Sequence, residues 1–353
     1  MHPERRYRAD DLKQFAGSLL ERAGLERAKA EAVAEILVEG DLLGHTTHGL
    51  QLLALYLTEI EGGRMSGHGE PKIVADFPAA VTWDGQRLPG QWLTLQAIDV
   101  AVARAKTQGT GTVVIRRSHH IGALAAYLKR VTDQGLVIIL SCSDPYTAGV
   151  APHGGRTGVF TPNPFAAGWP TQGDPVMFDV SQSITTNGMI KRLLAEGRKF
   201  PGQWVLDHAG NPSDDPAVMT ANPPGTLLPA GGTDHGHKGY AMGLFVEMLT
   251  GGLAGHGRAD PREGWSSTTY VQVMSPALFG GIEEFARQTS AVADACRASV
   301  PRPGFARVRL PGESGLRKRE EQLTHGVALY PGIIDSFGPW IAKFAINLPR
   351  PVS

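Results

Sequence analysis

Twelve histidines occur in this chain of 353 residues, and three pairs of them stand close together. His45 and His48 lie three apart in GHTTHG, His119 and His120 are adjacent in SHHIG, and His235 and His237 alternate in DHGHKG. Each pair sits beside glycine at the boundary of an expected element, where a scaffold holds a side chain in place and leaves it accessible. Histidine has an ordinary pKa of about 6.5 and so suits proton transfer near neutrality. Two plainer readings stand beside this one. A histidine near a helix start is more often packing or surface, and a pair at helical spacing can share a metal ion. For the metal reading, Asp41 is the nearest carboxylate to the first pair, and no cysteine stands at a supporting spacing.

Two further segments carry polar groups at expected strand ends. Asp179, Ser181 and Ser183 in DVSQS follow the apolar run 176–178, which places a carboxylate and two hydroxyls where a strand gives way to a turn. A turn capped by its own side chains would look the same. Pro311-Gly312-Glu313 reads as a tight turn after a strand over 306–310. The usual nucleotide loops are missing. Gly109-Thr110-Gly111 starts like a dinucleotide fingerprint, but Val114 fills the sixth position and the turn precedes a strand instead of following one. There is no Walker loop, no Gly-x-Ser-x-Gly elbow and no His-Glu-x-x-His zinc helix.

The elements that must position these groups follow from periodicity. A helix capped by Asp10 or Asp11 carries Leu12, Phe15, Leu19 and Leu20 at helical spacing and stops at Gly24. A second is expected over 26–38, and a third from about His48, carrying Leu52, Leu55, Tyr56 and Ile60 to Gly62-Gly63. Strands are expected over 72–83, 111–116 and 136–141, with helices over 92–105 and 123–134. Residues 145–175 are dense in Gly and Pro and read as turns around short strands such as 159–160. An apolar helix over 239–253 opens at the polar run 234–238, another helix spans 281–298, and the end with Pro349 and Pro351 reads as an extended tail. Helices first, then mixed strands and helices, give an α/β (α+β mixed) fold with a separate helical lobe. The expected division is a helical substrate-side lobe over 1–75, joined by about 300–353, and a mixed-sheet lobe over 76–299.

Bulk composition narrows the class. The chain is 42% hydrophobic and 19% charged, as in ordinary globular proteins, and its 34 basic residues balance 34 acidic ones. That balance disfavours a nucleic-acid partner, which would call for a basic excess. Two cysteines far apart, Cys142 and Cys296, exclude a disulfide framework and fit a reducing compartment. The N-terminal residues lack the apolar run of a signal peptide, and no stretch approaches the roughly 20 apolar residues that span a bilayer. The expectation is a cytoplasmic protein with no membrane partner.

Taken together, the segments resemble the type-2 malate/L-lactate/L-sulfolactate dehydrogenase family, non-Rossmann nicotinamide oxidoreductases. The resemblance runs over most of the chain. It rests on DLLGHTTHGLQLLALYLTEIEGG (41–63), RRSHHIG (116–122), PHGGRTGVFTPNP (152–164), DVSQS (179–183), LPAGGTDHGHKGYAMG (228–243) and LPGE (310–313), six matches in the expected order. It implies a helical lobe and a non-Rossmann mixed-sheet cofactor lobe, usually in a homodimer, with NAD or NADP as cofactor and a small 2-oxo/2-hydroxy acid as substrate. By the same resemblance His48 takes the place of the proton donor. Asp179, Ser181, Ser183, His237, Lys238, Gly312 and Glu313 match segments that contact the cofactor, and His120 and Asn163 are similar to further cofactor-side or active-site positions.

The chemistry agrees with these roles. Reduction of a 2-oxo carbon leaves an alkoxide, which needs a proton from a group titrating near the working pH, and an imidazolium at His48 would also stabilise the charge. Asp179 could orient that ring or raise its basicity. The chain departs from the pattern at Leu52, where many members carry a carboxylate-holding arginine four residues after the histidine. Leucine cannot replace a bidentate guanidinium. Either His45, Arg116 or Arg117 holds the carboxylate, or the substrate is altered. The alternatives are therefore a cyclic 2-imino acid reductase of the same family, a histidine-based zinc hydrolase, or a binding protein that has lost its chemistry.

Overall fold

The computed structural model describes residues 5–352. After β1 (Arg6–Tyr7), α1 (Ala9–Ala23) and α2 (Arg27–Leu43) form an antiparallel pair, each ended by a glycine in the left-handed conformation, Gly24 and Gly44. Arg8, not an aspartate, occupies the cap of α1; Asp10 and Asp11 lie in its first turn, where the helix dipole favours negative charge. Leu12, Phe15, Leu19 and Leu20 face inward as their spacing requires, against Val33, Leu37 and Val38 of α2. The third helix begins later than expected. His48 lies in a turn, a short 3-10 segment spans Leu50–Leu52, and α3 runs Leu53–Glu61.

Residues 72–83 are not one strand but a hairpin, β2 (Lys72–Phe77) and β3 (Ala80–Asp84), broken at Pro78, which cannot continue a ladder. The chain continues through α4 (Gly90–Gln108), β4 (Thr110–Ser118), α5 (Ala125–Thr132), β5 (Val137–Ser143), β6 (Phe165–Trp169) and β7 (Val176–Val180). Asp179 therefore stands inside β7, opposite Ala166, not beyond the strand's end. Next come α6 (Asn187–Glu196), β8 (Val205–Leu206), β9 (Pro212–Ser213), β10 (Thr226–Leu227) and α7 (Gly232–Glu247), which runs into a π-turn, Met248–Gly252. The polar run 234–238 is thus the first part of α7 rather than a lead-in to it.

Strand β11 (Ser267–Met274) inserts between β4 and β5, so the seven-stranded sheet has the order β2-β3-β4-β11-β5-β6-β7. Only β3 and β4 are parallel. Val113, Ile115, Ile138, Leu140, Val271 and Val273 bury one face of the sheet under α4 and α5, while Val114 and Tyr270 meet Leu249 and Ala254 on the other. Helix α8 (Ile282–Ala298) follows. No strand forms over 306–310: those residues have no ladder partner. Sequence periodicity also passed over α9 (Glu313–His325), β12 (Val327–Ala328), α10 (Ile333–Ser336) and α11 (Gly338–Phe344). Strand β12 pairs with β1, and Val327, Ile333 and Phe337 complete the core of α1–α3. Among the described residues four apolar clusters result, of which the two largest are one helical and one beneath the large sheet.

Candidate active site

The first histidine pair sits in the turn after α2, and buried Asp41 fixes that turn. Its Oδ2 accepts the Leu50 amide at 2.7 Å, while His45 N–H donates to Gly40 O and His48 N–H to His45 O, each at 2.8 Å. Gly49 is required here, since a Cβ would lie 2.4 Å from the Asp41 carboxylate carbon. Burial pushes the Asp41 carboxyl up to about 7. The turn directs the His48 ring toward the sheet, with Nδ1 at 2.8 Å from Thr47 Oγ1.

His120 arrives from the end of β4. Its ring lies 6.1 Å from that of His48 at 29°, and Trp265 covers it at 4.8 Å. The Gly122 amide donates to His120 Nδ1 at 3.3 Å, so this nitrogen is an acceptor. Tyr56 O–H, 2.6 Å from the same atom, must then donate to it, and Gln91 Nε2 donates to the tyrosine oxygen at 2.9 Å. The chain Gln91–Tyr56–His120 therefore places the remaining ring proton on Nε2. Burial holds His120 well below the ordinary histidine range, aided by the neighbouring His48 and His119. His119 belongs to the packing: fully buried, edge-on to Tyr56 and Trp265, and lowered to about 4 by burial.

Asp179 faces His48 electrostatically across the niche. Its Oδ2 accepts the Ala125 amide at the start of α5, at 2.9 Å. The bond orienting the His48 ring thus comes from Thr47, and Asp179 acts on it through charge. Burial lowers the His48 pKa, Asp179 opposes that shift and His45 adds to it.

The segments matched to a nicotinamide dinucleotide converge on β7 and the start of α7. Ser181 and Ser183 donate to the carbonyls of Ser183 and Thr185 at 2.8 and 2.6 Å, and Ser183 bridges Pro229 just before α7. His237 and Lys238 are exposed on the first turns of α7, and the His237 ring lies 5.7 Å from that of His153. Gly312, at φ +91°, lets the 310–313 turn close on β7, where a Cβ would lie 2.8 Å from Met177 O. Glu313 pairs with Arg297 at 2.7 Å. Asn163 is fully buried, and its amide bonds Thr161, Gly243 O and Glu247, which ties its loop to α7. Two observations fit a dinucleotide. The exposed Lys238 ammonium stands near the N-terminus of α7, and a helix N-terminus suits a diphosphate. The hydroxyl of Thr269, opposite Cys142 in the sheet, is buried without a protein partner and so can take a polar ligand.

Of the substrate-side residues, His45 is half-buried beside His48. Leu52 packs against the helical core. Arg116 and Arg117 are held by Asp84 at 3.1 and 3.4 Å, and Arg117 also by Glu263 at 2.9 Å. The histidine pairs do not assemble a metal site: among the described residues no group of three or more His, Cys, Asp or Glu is arranged to hold an ion. Sequence reasoning passed over Thr47, Gln91 and Trp265, which touch the two histidines or Tyr56, and took Tyr56 only for a core position. The spacing of Tyr56 on α3 marks burial truly, and nothing in it reveals a hydroxyl aimed at His120.

Known proteins resemble this chain over most of its length. The malate/L-lactate dehydrogenase family matches residues 7–337. An L-lactate dehydrogenase of Cupriavidus necator is 32% identical over 308 residues, covering 85% of this chain and 87% of that protein. A Delta(1)-pyrroline-2-carboxylate reductase of Ancylobacter novellus is 30% identical over 319 residues, covering 87% and 89% respectively. The crystal structure of malate dehydrogenase from Entamoeba histolytica superposes with a TM-score of 0.91 at 25% identity, covering 98% of this chain and 99% of that one.

Proposed function

The chain belongs to the malate/L-lactate dehydrogenase family and is an oxidoreductase of 2-hydroxy acids, and on that premise we propose that His48 moves the proton and His120 holds the reacting oxygen. The observation that carries this reading is the stacked His48–His120 pair, whose Nδ1 atoms are both engaged by the protein. Both Nε2 atoms are left to the substrate.

A bound NAD or NADP supplies or accepts the hydride at the substrate's C2. In the reducing direction, negative charge develops on the carbonyl oxygen. The Nε2–H of His120, set by Tyr56, donates to that oxygen, and protonated His48 releases its proton to it. Asp179 stabilises the imidazolium through space. In the oxidising direction neutral His48 takes the hydroxyl proton, and burial favours that neutral form. Ser181, Ser183, Lys238 and His237 would hold the dinucleotide, with Gly312 and Glu313 closing its border and Asn163 setting the loop beneath it. A carbonyl and a cyclic imine need the same proton delivery, and the pyrroline reductase relative keeps 2-imino acids as a second substrate class.

We assign the helical substrate side to 1–75 with about 300–353, and cofactor binding to 76–299; the helical cluster of α1–α3 with Val327, Ile333 and Phe337 supports the first, and the sheet cluster, which also takes in Ala32, Ile36 and Leu316, joins the two. A homodimer is supported by the end of α7 and the π-turn after it, where Leu244, Phe245 and Met248 are 43–47% exposed. No helix among the described residues is long and apolar enough to cross a membrane. A reducing cytoplasm suits the two free cysteines.

The test is direct. Purified protein is given NADH or NADPH with a panel of 2-oxo and cyclic 2-imino acids, and cofactor consumption is followed. His48→Ala abolishes turnover while fluorescence of the bound reduced cofactor persists. Near-normal turnover in that variant would sink the role of His48.

A further inference from the structure

A 2-oxo acid brings a carboxylate to the site, and a buried carboxylate needs a cation. None stands at position 52, and Arg116 and Arg117 are neutralised by Asp84 and Glu263. A different guanidinium reaches the catalytic turn from outside it. Helix α6 approaches so closely that a Cβ on Gly188 would lie 3.0 Å from Thr47 Cβ. One turn further on, Arg192 Nη2 donates to Thr46 Oγ1 at 3.1 Å and to Gln51 Oε1 at 3.2 Å. These two residues bracket His48 in the chain.

Three features make this guanidinium a receptor rather than a brace. Both of its bonds are to neutral oxygens, and among the described residues it is in no direct ion pair; Glu196, which accepts from the Tyr330 hydroxyl, attracts it only through space. Its Nε is buried and has no partner. Its plane lies 3.8 Å above the Tyr330 ring, which fixes its orientation in advance and lowers the entropy lost on binding. Beside it opens a crevice of about 500 Å³, lined by Thr46, Arg192, Gln322 and Tyr330, with Lys318 further along the wall.

We propose that Arg192 is the substrate-carboxylate residue of this protein, a cation delivered to the His48 turn from α6 in place of one at position 52. The inference rests on the 2-oxo acid reading for its substrate class. It makes Arg192 a determinant of affinity, since the carboxylate is bound equally in the ground state and the transition state. Loss of Arg192 raises KM and leaves kcat nearly unchanged.

Two measurements separate this inference from the reading it rests on. Steady-state kinetics of Arg192→Gln should show KM for the best 2-oxo acid raised roughly 10- to 100-fold, the usual range for a lost charged hydrogen bond. Arg192→Lys should fall between, because an ammonium cannot offer the fork. Calorimetric titration with oxalate, a non-reacting mimic, should show the same order of affinities without any turnover. An unchanged KM in Arg192→Gln overturns the role of Arg192 and leaves the dehydrogenase reading standing. Oxalate that binds wild type and Arg192→Gln equally, or fails to bind wild type at millimolar concentration, overturns it too. Oxalate binding that depends on Arg192, in a protein that reduces no acid of the panel, supports Arg192 and counts against the dehydrogenase reading. Thermal unfolding of both variants guards against simple loss of the Tyr330 contact, and cofactor binding unchanged from wild type shows that the site is intact.

Discussion

His48 and His120 lie in one niche, and the different roles proposed for them follow from how the protein engages each ring. Tyr56 and Gly122 settle the tautomer of His120, whereas His48 has a single bond to Thr47 and a carboxylate opposite. Burial lowers the His48 pKa, so the protonated form that serves reduction is lost as pH rises, and the neutral form that serves oxidation is retained. The expected pH profile of kcat/KM therefore falls on the alkaline side for 2-oxo acid reduction and on the acid side for 2-hydroxy acid oxidation. Asp179→Asn should shift both limbs to lower pH, since the opposing charge is removed; limbs that do not move would show that Asp179 has no hold on His48. Two buried groups near the site affect stability in opposite senses. Asp41 titrates at about 7 when folded and at about 4 when unfolded, so its contribution is present below pH 4 and lost as pH rises toward 7. His119 takes its proton at about 4 when folded and about 6.5 when unfolded, so its contribution is lost as pH falls through that window. Asp41→Asn should flatten the first slope and His119→Gln the second, read from Tm against pH.

At the scale of elements, the site is made by glycines that allow close approach. Gly49 lets the catalytic turn close over Asp41, and Gly239 lets α7 settle on the strand-end segment. A Cβ at Gly239 would lie 2.5 Å from the Ala230 amide nitrogen and 2.8 Å from Gln182 O, both backbone atoms that cannot move aside. Gly239→Ala should therefore weaken reduced-cofactor binding, measured by fluorescence titration, without disturbing the His48 turn. Gly49→Ala should cost about 1–3 kcal/mol in urea unfolding, the range for overpacking, and should lower turnover more than cofactor affinity. The existence of these helices was legible from apolar spacing, and so were the turns from glycine and proline. Their ends were not. The start of α3 slipped past His48 because the apolar period continues through Leu50–Leu52, while the Asp41 bond to Leu50 holds that stretch in a tighter turn. The run 306–310 alternates like a strand, yet no neighbouring edge pairs with it.

For the whole molecule, the exposed apolar residues at the end of α7 carry the expectation about assembly. Phe245→Glu should convert the dimer to a monomer in light scattering after gel filtration; a monomeric wild type would remove the homodimer. The His48 turn follows α2, whereas Asp179 stands in the sheet, opposite Ala166. A change in texture near residue 75 and a joining of about 300–353 to the helical side were both expectations from the sequence, but the particular contact that anchors α9 was not. Gln322 of α9 donates to the carbonyls of Asp41 and Leu42 at 2.9 Å, and that contact spans about 280 residues of sequence.

The sequence by itself determined the family and the mixed fold, and it singled out His48 as the candidate proton donor, because those follow from residue types at short spacings along one chain. Only the tertiary structure decided which groups set the tautomer of His120, where Asp179 stands relative to His48, and that Arg192 reaches the catalytic turn. Each of these depends on a few ångströms between segments far apart in the chain. Such distances are fixed by how α3, α6 and the sheet pack, and local periodicity carries no record of packing between them.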